Sequence, residues 1–103
     1  MAESRPLGYA TLQILQAIAA GYVYGFDIMD VTGLPSGTVY PILSKLEDSG
    51  FVKSRWEDAR IAKREKRPAR RTYVITGEGR EAVKETLLKY KSLHRLVPRK
   101  AQS

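Results

Sequence analysis

Leu34-Pro35-Ser36-Gly37-Thr38-Val39-Tyr40-Pro41-Ile42-Leu43-Ser44-Lys45-Leu46-Glu47-Asp48-Ser49-Gly50 decides how the rest of the chain is read. Val39, Ile42, Leu43 and Leu46 stand at i, i+3, i+4 and i+7, one face of an α-helix. Pro35 and Ser36 are start signals and Gly50 is a stop signal. The opposite face carries Ser36, Thr38, Tyr40, Pro41, Ser44 and Lys45, with no bulky aliphatic among them. Such a face can simply meet water, or it can lie against a polar surface rich in hydrogen-bonding groups, as a DNA recognition helix does. Pro41 falls inside the helical stretch, where proline removes a hydrogen bond and clashes with the preceding turn. Either the helix starts near Thr38 or it bends at Pro41. Both put Ser36 to Tyr40 at an exposed helix start, whose free N–H groups can meet phosphate.

Upstream, Thr32-Gly33-Leu34-Pro35 reads as a tight turn, preceded by a short helix over about Gly25 to Val31. Helix, short turn with glycine, helix is the helix-turn-helix pattern, one shared with helical hairpins in general. Leu7 to Ala20 forms another helix, with Leu7, Ala10, Ile14, Ala17 and Ile18 as a stripe that Tyr9, Leu12 and Leu15 broaden. It is a central core helix, or one that also contacts a second chain.

Downstream, the period changes. Phe51 to Trp56 and Arg71 to Ile75 read as strands, and Asp58 to Ala69 between them as a polar, basic loop. Two strands around a basic loop after a helix-turn-helix make a wing. Thr76 reads as the N-cap of a last helix running to about Leu96, with Glu78 and Glu81 at its positive end. Its stripe of Ala82, Val83, Leu87, Tyr90, Leu93 and Leu96 suggests pairing with a second chain, or packing within the monomer.

The 103 residues make one domain, residues 1–103: a DNA-binding core over 7–76, a dimerisation helix over 77–97 and a flexible tail over 98–103. The expected class is mainly α with a small β-hairpin (α+β), a winged helix-turn-helix of three N-terminal helices, a two-stranded wing and one C-terminal helix. The formal net charge is +7, a bias toward a polyanionic partner. It is focused: Lys53 to Arg71 holds nine bases against Glu57, Asp58 and Glu65, a local +6, while residues 1–50 total −3. In the wing this reads as contact with phosphate or the minor groove, against a merely solvated loop. With no cysteine and a single histidine, His94, the chain offers no thiol nucleophile, no metal-ligand cluster and no catalytic constellation, so neither an enzyme nor a cofactor or metal is expected. No apolar run is long enough for a membrane, and a cytoplasmic, nucleoid-associated protein is expected.

Tyr24-Gly25-Phe26-Asp27-Ile28, the run from Ser36 to Val52 with its Tyr-Pro inside a helix, and Arg67-Pro68-Ala69-Arg70-Arg71-Thr72-Tyr73-Val74-Ile75-Thr76 with Gly79-Arg80 together resemble the PadR family of bacterial transcriptional regulators. The likeness covers about Leu12 to Leu96 and is to the short, PadR-like subgroup with a single C-terminal helix. It implies a winged helix-turn-helix that dimerises through its first and last helices. The function then expected is sequence-specific binding of double-stranded DNA by a homodimer, repressing transcription at a pseudo-palindrome with half-sites about one helical turn apart. The candidate DNA-binding residues are Tyr24, Ser36, Gly37, Thr38, Tyr40, Pro41, Lys45, Arg67, Arg70, Arg71 and Tyr73, the last also readable as structural. The resemblance also implies a flat apolar or aromatic effector at the dimer centre, with Tyr9, Leu12, Leu87, Tyr90, Leu93 and His94 as candidate effector or dimer residues; plain packing is the competing explanation. Trp56, on the wing strand, is assigned to no ligand.

The chain departs from the family pattern at three places. Phe26 stands where many members have Tyr. Pro35-Ser36 reverses the usual Ser-Pro. Lys66 replaces the glycine common before Arg-Pro, and the wing is lengthened. The competing class is a winged helix that binds protein rather than DNA, which salt-dependent binding to random duplex would distinguish.

Overall fold

The computed structural model describes residues 7–94, and the side chains of 7–91. The elements run α1 (Tyr9–Ala19), α2 (Gly25–Thr32), α3 (Ser36–Asp48), β1 (Val52–Trp56), α4 (Ala59–Arg64), β2 (Arg71–Ile75) and α5 (Gly77–His94). Ile14, Leu15 and Ile18 of α1 meet Ile28 of α2, Val39, Leu43 and Leu46 of α3, and Val52 and Tyr73 of the two strands in one buried cluster. Ile42 and Phe51 pack against it from the side. The apolar stripe of the opening stretch therefore faces inward, and this alone turns Ser36, Gly37, Tyr40, Pro41, Ser44 and Lys45 outward.

α3 starts at Ser36, two residues before the position at which a proline-tolerant helix would begin, and continues unbroken to Asp48. Pro35 takes the N-cap place in extended conformation, and its carbonyl accepts from the amides of Thr38 and Val39 at 2.9 and 3.0 Å. Pro41 is thus inside the helix. The bond it cannot make would have ended on the Gly37 carbonyl, on an exposed turn where water can serve instead.

β1 and β2 pair antiparallel from Val52↔Ile75 to Trp56↔Arg71. A third strand-like rung comes from before α2: Tyr24 bridges Thr72, and the Tyr73 amide donates to the Val23 carbonyl at 2.9 Å. That rung ties the start of α2 to the wing.

The expected loop over residues 58–69 is instead interrupted by α4. Asp58 caps it, accepting from the Arg60 amide at 2.8 Å, and Ala62 is buried. Lys63 and Arg64 occupy its last turn, where cations suit the helix dipole. Its end is a Schellman cap: the Lys66 amide donates to the Lys63 carbonyl and the Arg67 amide to that of Ala62, both at 3.1 Å. α3 closes the same way, through Gly50 to Glu47 and Phe51 to Leu46. The residue at the turn must adopt positive φ: Gly50 has +81° and Lys66, a non-glycine, +58°. The departure from family glycine at Lys66 therefore falls on the one described position where a side chain sits in the left-handed region.

α5 begins as expected. The Thr76 hydroxyl accepts from the Gly79 amide at 3.0 Å and donates to the Gly50 carbonyl at 2.7 Å. Its packing against α1 is more polar than its apolar stripe suggests. The Thr86 side chain, 1% exposed, accepts from the Leu7 amide at 3.0 Å, and the Tyr90 hydroxyl donates to the Leu7 carbonyl at 3.0 Å. Of the candidate effector or dimer residues, Leu12 is corrected, because it is buried within the monomer; Tyr90 is half-buried, with its hydroxyl held by Leu7 just before α1. Tyr9 and Leu87 are exposed, as is Leu88. The side chains of Leu93 and His94, the N-terminal six residues and the expected tail lie outside what the structure describes.

Candidate nucleic-acid interface

The start of α3 exposes Ser36 and Gly37, whose amides have no intrahelical acceptor. Thr38 is half-buried, Tyr40 is 46% exposed, and Pro41, Ser44 and Lys45 are exposed. The Tyr40 ring rests against the backbone of Gly25: a methyl placed on Gly25 would stand 2.6 Å from the phenol oxygen. Glycine is needed there for close approach, and it fixes where the phenol lies. The sequence places Gly25 beside Tyr24 but gives no hint that its partner is Tyr40, fifteen positions on.

The three wing arginines proposed as contacts have different settings. Arg67 makes a bidentate pair with Glu57, at 2.7 and 2.8 Å, and is 23% exposed at its side chain. The Arg67 hydrogen bonds, with the Arg70 amide donating to the same carboxylate at 3.2 Å, hold Glu57 down at a pKa of about 2 against the opposing effect of desolvation. Arg71 donates to Glu47 of α3 at 2.9 and 3.2 Å and to the Ser54 hydroxyl at 2.8 and 3.0 Å, and Ser54 in turn donates to Glu47. Its guanidinium also lies 5.4 Å from the Trp56 ring centroid and 5.7 Å from that of Tyr73. Arg67 and Arg71 therefore brace the wing, one internally and one onto α3. Arg70 is exposed, lies over Tyr24 at 5.2 Å and makes no ion pair among the described residues. Tyr73 is 5% exposed, so the structural alternative describes it and its side chain is a core group; burial also raises its pKa.

Of the nine bases between Lys53 and Arg71, Arg60, Arg67 and Arg71 pair with carboxylates. Lys53, Arg55, Lys63, Arg64, Lys66 and Arg70 make no ion pair among the described residues. At the root of the wing loop, the start of α2, Tyr40 of α3 and the wing strands surround one open cavity of about 620 Å³, whose lining includes Tyr24, Phe26, Tyr40, Trp56, Arg70 and Arg71. Tyr40 and Arg70, chosen from separate stretches, thus share one face. Glu47, Ser54 and Glu57, which set the arginines, were not among the sequence candidates. The only sequence signal for Glu57 is an acid inside a strongly basic run.

This is a winged helix-turn-helix. Residues 8–85 match the model of the transcriptional regulator PadR-like family, and the chain belongs to that family. A crystal structure of a PadR family transcription regulator from Clostridium difficile R20291 is similar over 85% of this chain and 93% of that one, with 20% identity and a TM-score of 0.73. A PadR-like regulator from Bacillus cereus is similar over 82% of each chain, at 21% identity and a TM-score of 0.65. Bordetella bronchiseptica BpsR, whose DNA binding is regulated by 6-hydroxynicotinic acid, aligns over 92% of this chain and 74% of its own, at 17% identity and a TM-score of 0.69. No curated protein matches the sequence. Among the described residues no helix is long and apolar enough to cross a membrane.

Proposed function

We propose that the chain is a homodimeric repressor that binds a pseudo-palindromic duplex operator and is released by a small apolar or aromatic effector. The observation that carries DNA binding is the common face of Tyr40 and Arg70, with exposed Ser36, Gly37 and Lys45 on the same helix as Tyr40. In this reading α3 enters the major groove. Ser36 and Lys45 meet base edges or phosphates, Gly37 lets the backbone approach, and Tyr24, Tyr40 and Arg70 hold the flanking strand. Arg67 and Arg71 act as positioning residues, because their charges are already matched by Glu57 and Glu47.

Dimerisation is supported by the outward apolar groups Leu87 and Leu88 of α5 and Tyr9 of α1, which a monomer leaves 41%, 56% and 69% exposed. A C₂ pair would set two α3 helices one turn of duplex apart. The effector part is supported by likeness of fold to a ligand-regulated protein, BpsR. Selection of binding sites from a random duplex pool, with light scattering on the enriched complex, tests the reading. An inverted repeat bound by two chains is expected. A pool that never enriches, or a single chain per site, contradicts it.

A further inference from the structure

We propose that the cavity at the wing root is a binding site for a small planar aromatic anion, either an aromatic carboxylate or a mononucleotide. Its volume of about 620 Å³ lies within the range of roughly 300–1,000 Å³ usual for small-molecule sites. Five rings line it: Tyr24, Phe26, Tyr40, Trp56 and Tyr73. Phe26 is 75% exposed and Trp56 61% exposed; the Arg71 guanidinium lies 5.4 Å from the Trp56 centroid, and the exposed remainder of both rings offers apolar surface for stacking. Neither is needed to close the core, since the buried cluster forms without them.

The charge of the lining chooses the ligand. Arg71 is neutralised by Glu47, and Asp27, the one acid in the lining, comes from α2. Arg70, on the wing side, makes no ion pair among the described residues and already lies over an aromatic ring. A flat ring stacked beside Trp56 with an acidic group at Arg70 would bury apolar surface and supply the missing carboxylate or phosphate partner. A neutral ring would gain only the first of these. The site differs from the expected effector place at the dimer centre, which involves Tyr9 and Leu87. Tyr40 and Arg70 also belong to the proposed DNA face, so ligand and duplex would exclude one another. That consequence rests on the DNA-binding reading, whereas the site itself does not.

The test uses the full chain without DNA. Trp56 is the only tryptophan, so its indole N–H gives one unambiguous signal in a ¹⁵N correlation spectrum. The chain is titrated with 2-naphthoate and with adenosine monophosphate, and in parallel with the neutral partners 2-naphthamide and adenosine. At least one anion is expected to shift the Trp56 signal saturably and to bind at least tenfold more tightly than its neutral partner. Naphthoate alone would identify a carboxylate site, and the nucleotide alone a phosphate site. R70Q should cut the anion preference to within about twofold, and F26A, at an exposed position, should weaken both charged and neutral forms; thermal melts verify that both variants are folded. No saturable shift up to millimolar ligand, equal binding of charged and neutral forms, or affinity unchanged in folded R70Q and F26A would overturn the proposal.

Discussion

Lys66→Gly tests the backbone reasoning most cleanly. Lys66 holds φ +58° because the cap of α4 requires a left-handed residue between Glu65 and Arg67. For an L-residue that conformation costs roughly 1–2 kcal/mol, and the extra freedom of glycine in the unfolded chain returns roughly 0.5–1 kcal/mol. The net gain expected is about 0.5–1 kcal/mol, or about 2–8 °C in thermal midpoint for a domain of this size. The gain should register in the melt because α4 carries a buried side chain, Ala62, that is lost on unfolding. Circular dichroism melts of K66G, K66A and the parent chain are the assay. K66A removes the same charge but keeps the strain, so its midpoint should stay near the parent's. A K66G midpoint no higher than that of K66A would refute the argument.

Glu57 has a folded pKa of about 2, set chiefly by Arg67, against an ordinary value of 4.5. A depressed carboxylate stabilises the fold at pH above its unfolded value, and the contribution fades as pH falls from about 4.5 through about 2. Thermal midpoints across that window should drop more steeply in the parent than in E57Q. Gly25→Ala would drive a methyl into the Tyr40 ring, 2.6 Å from its oxygen; the half-exposed ring can swing out, so the melt should shift little while duplex affinity falls roughly tenfold, about 1.4 kcal/mol. Thr86→Val removes the acceptor for the Leu7 amide, and should destabilise by about 1 kcal/mol with faster hydrogen exchange at Leu7.

Much of the fold was legible because single-chain patterns encode it. The i, i+3, i+4, i+7 set in α3, the strand residues around the basic run and the Thr76 cap all appear where expected. α4 escaped because six residues cannot display a helical period, and its signals, Asp58 before it and Lys63 and Arg64 at its end, resemble ordinary loop charge. Pro35 and Ser36 mark the start of α3, but Pro41 leaves a start near Thr38 open in the sequence; the inward packing of Val39 and Leu43 outweighs one lost hydrogen bond, and the helix runs from Ser36 through Pro41. At the candidate site, exposed α3 residues follow from periodicity, but the fate of each arginine does not. Arg67, Arg70 and Arg71 are chemically alike in sequence. Which one is left without a direct ion pair depends on Glu57, ten residues from Arg67, and Glu47, twenty-four from Arg71. Strand register and helix placement bring those partners together, and neither is a local property.

The most direct measurement is the affinity for a fluorescent random-sequence duplex, by anisotropy, across a salt series. With the wing's unpaired bases and Lys45 facing phosphate, log K should fall with log salt at a slope of about −3 or steeper, and R70Q should flatten it by about one unit. Absence of binding at low salt, or a slope that R70Q leaves unchanged, would contradict the assignment of this face to DNA.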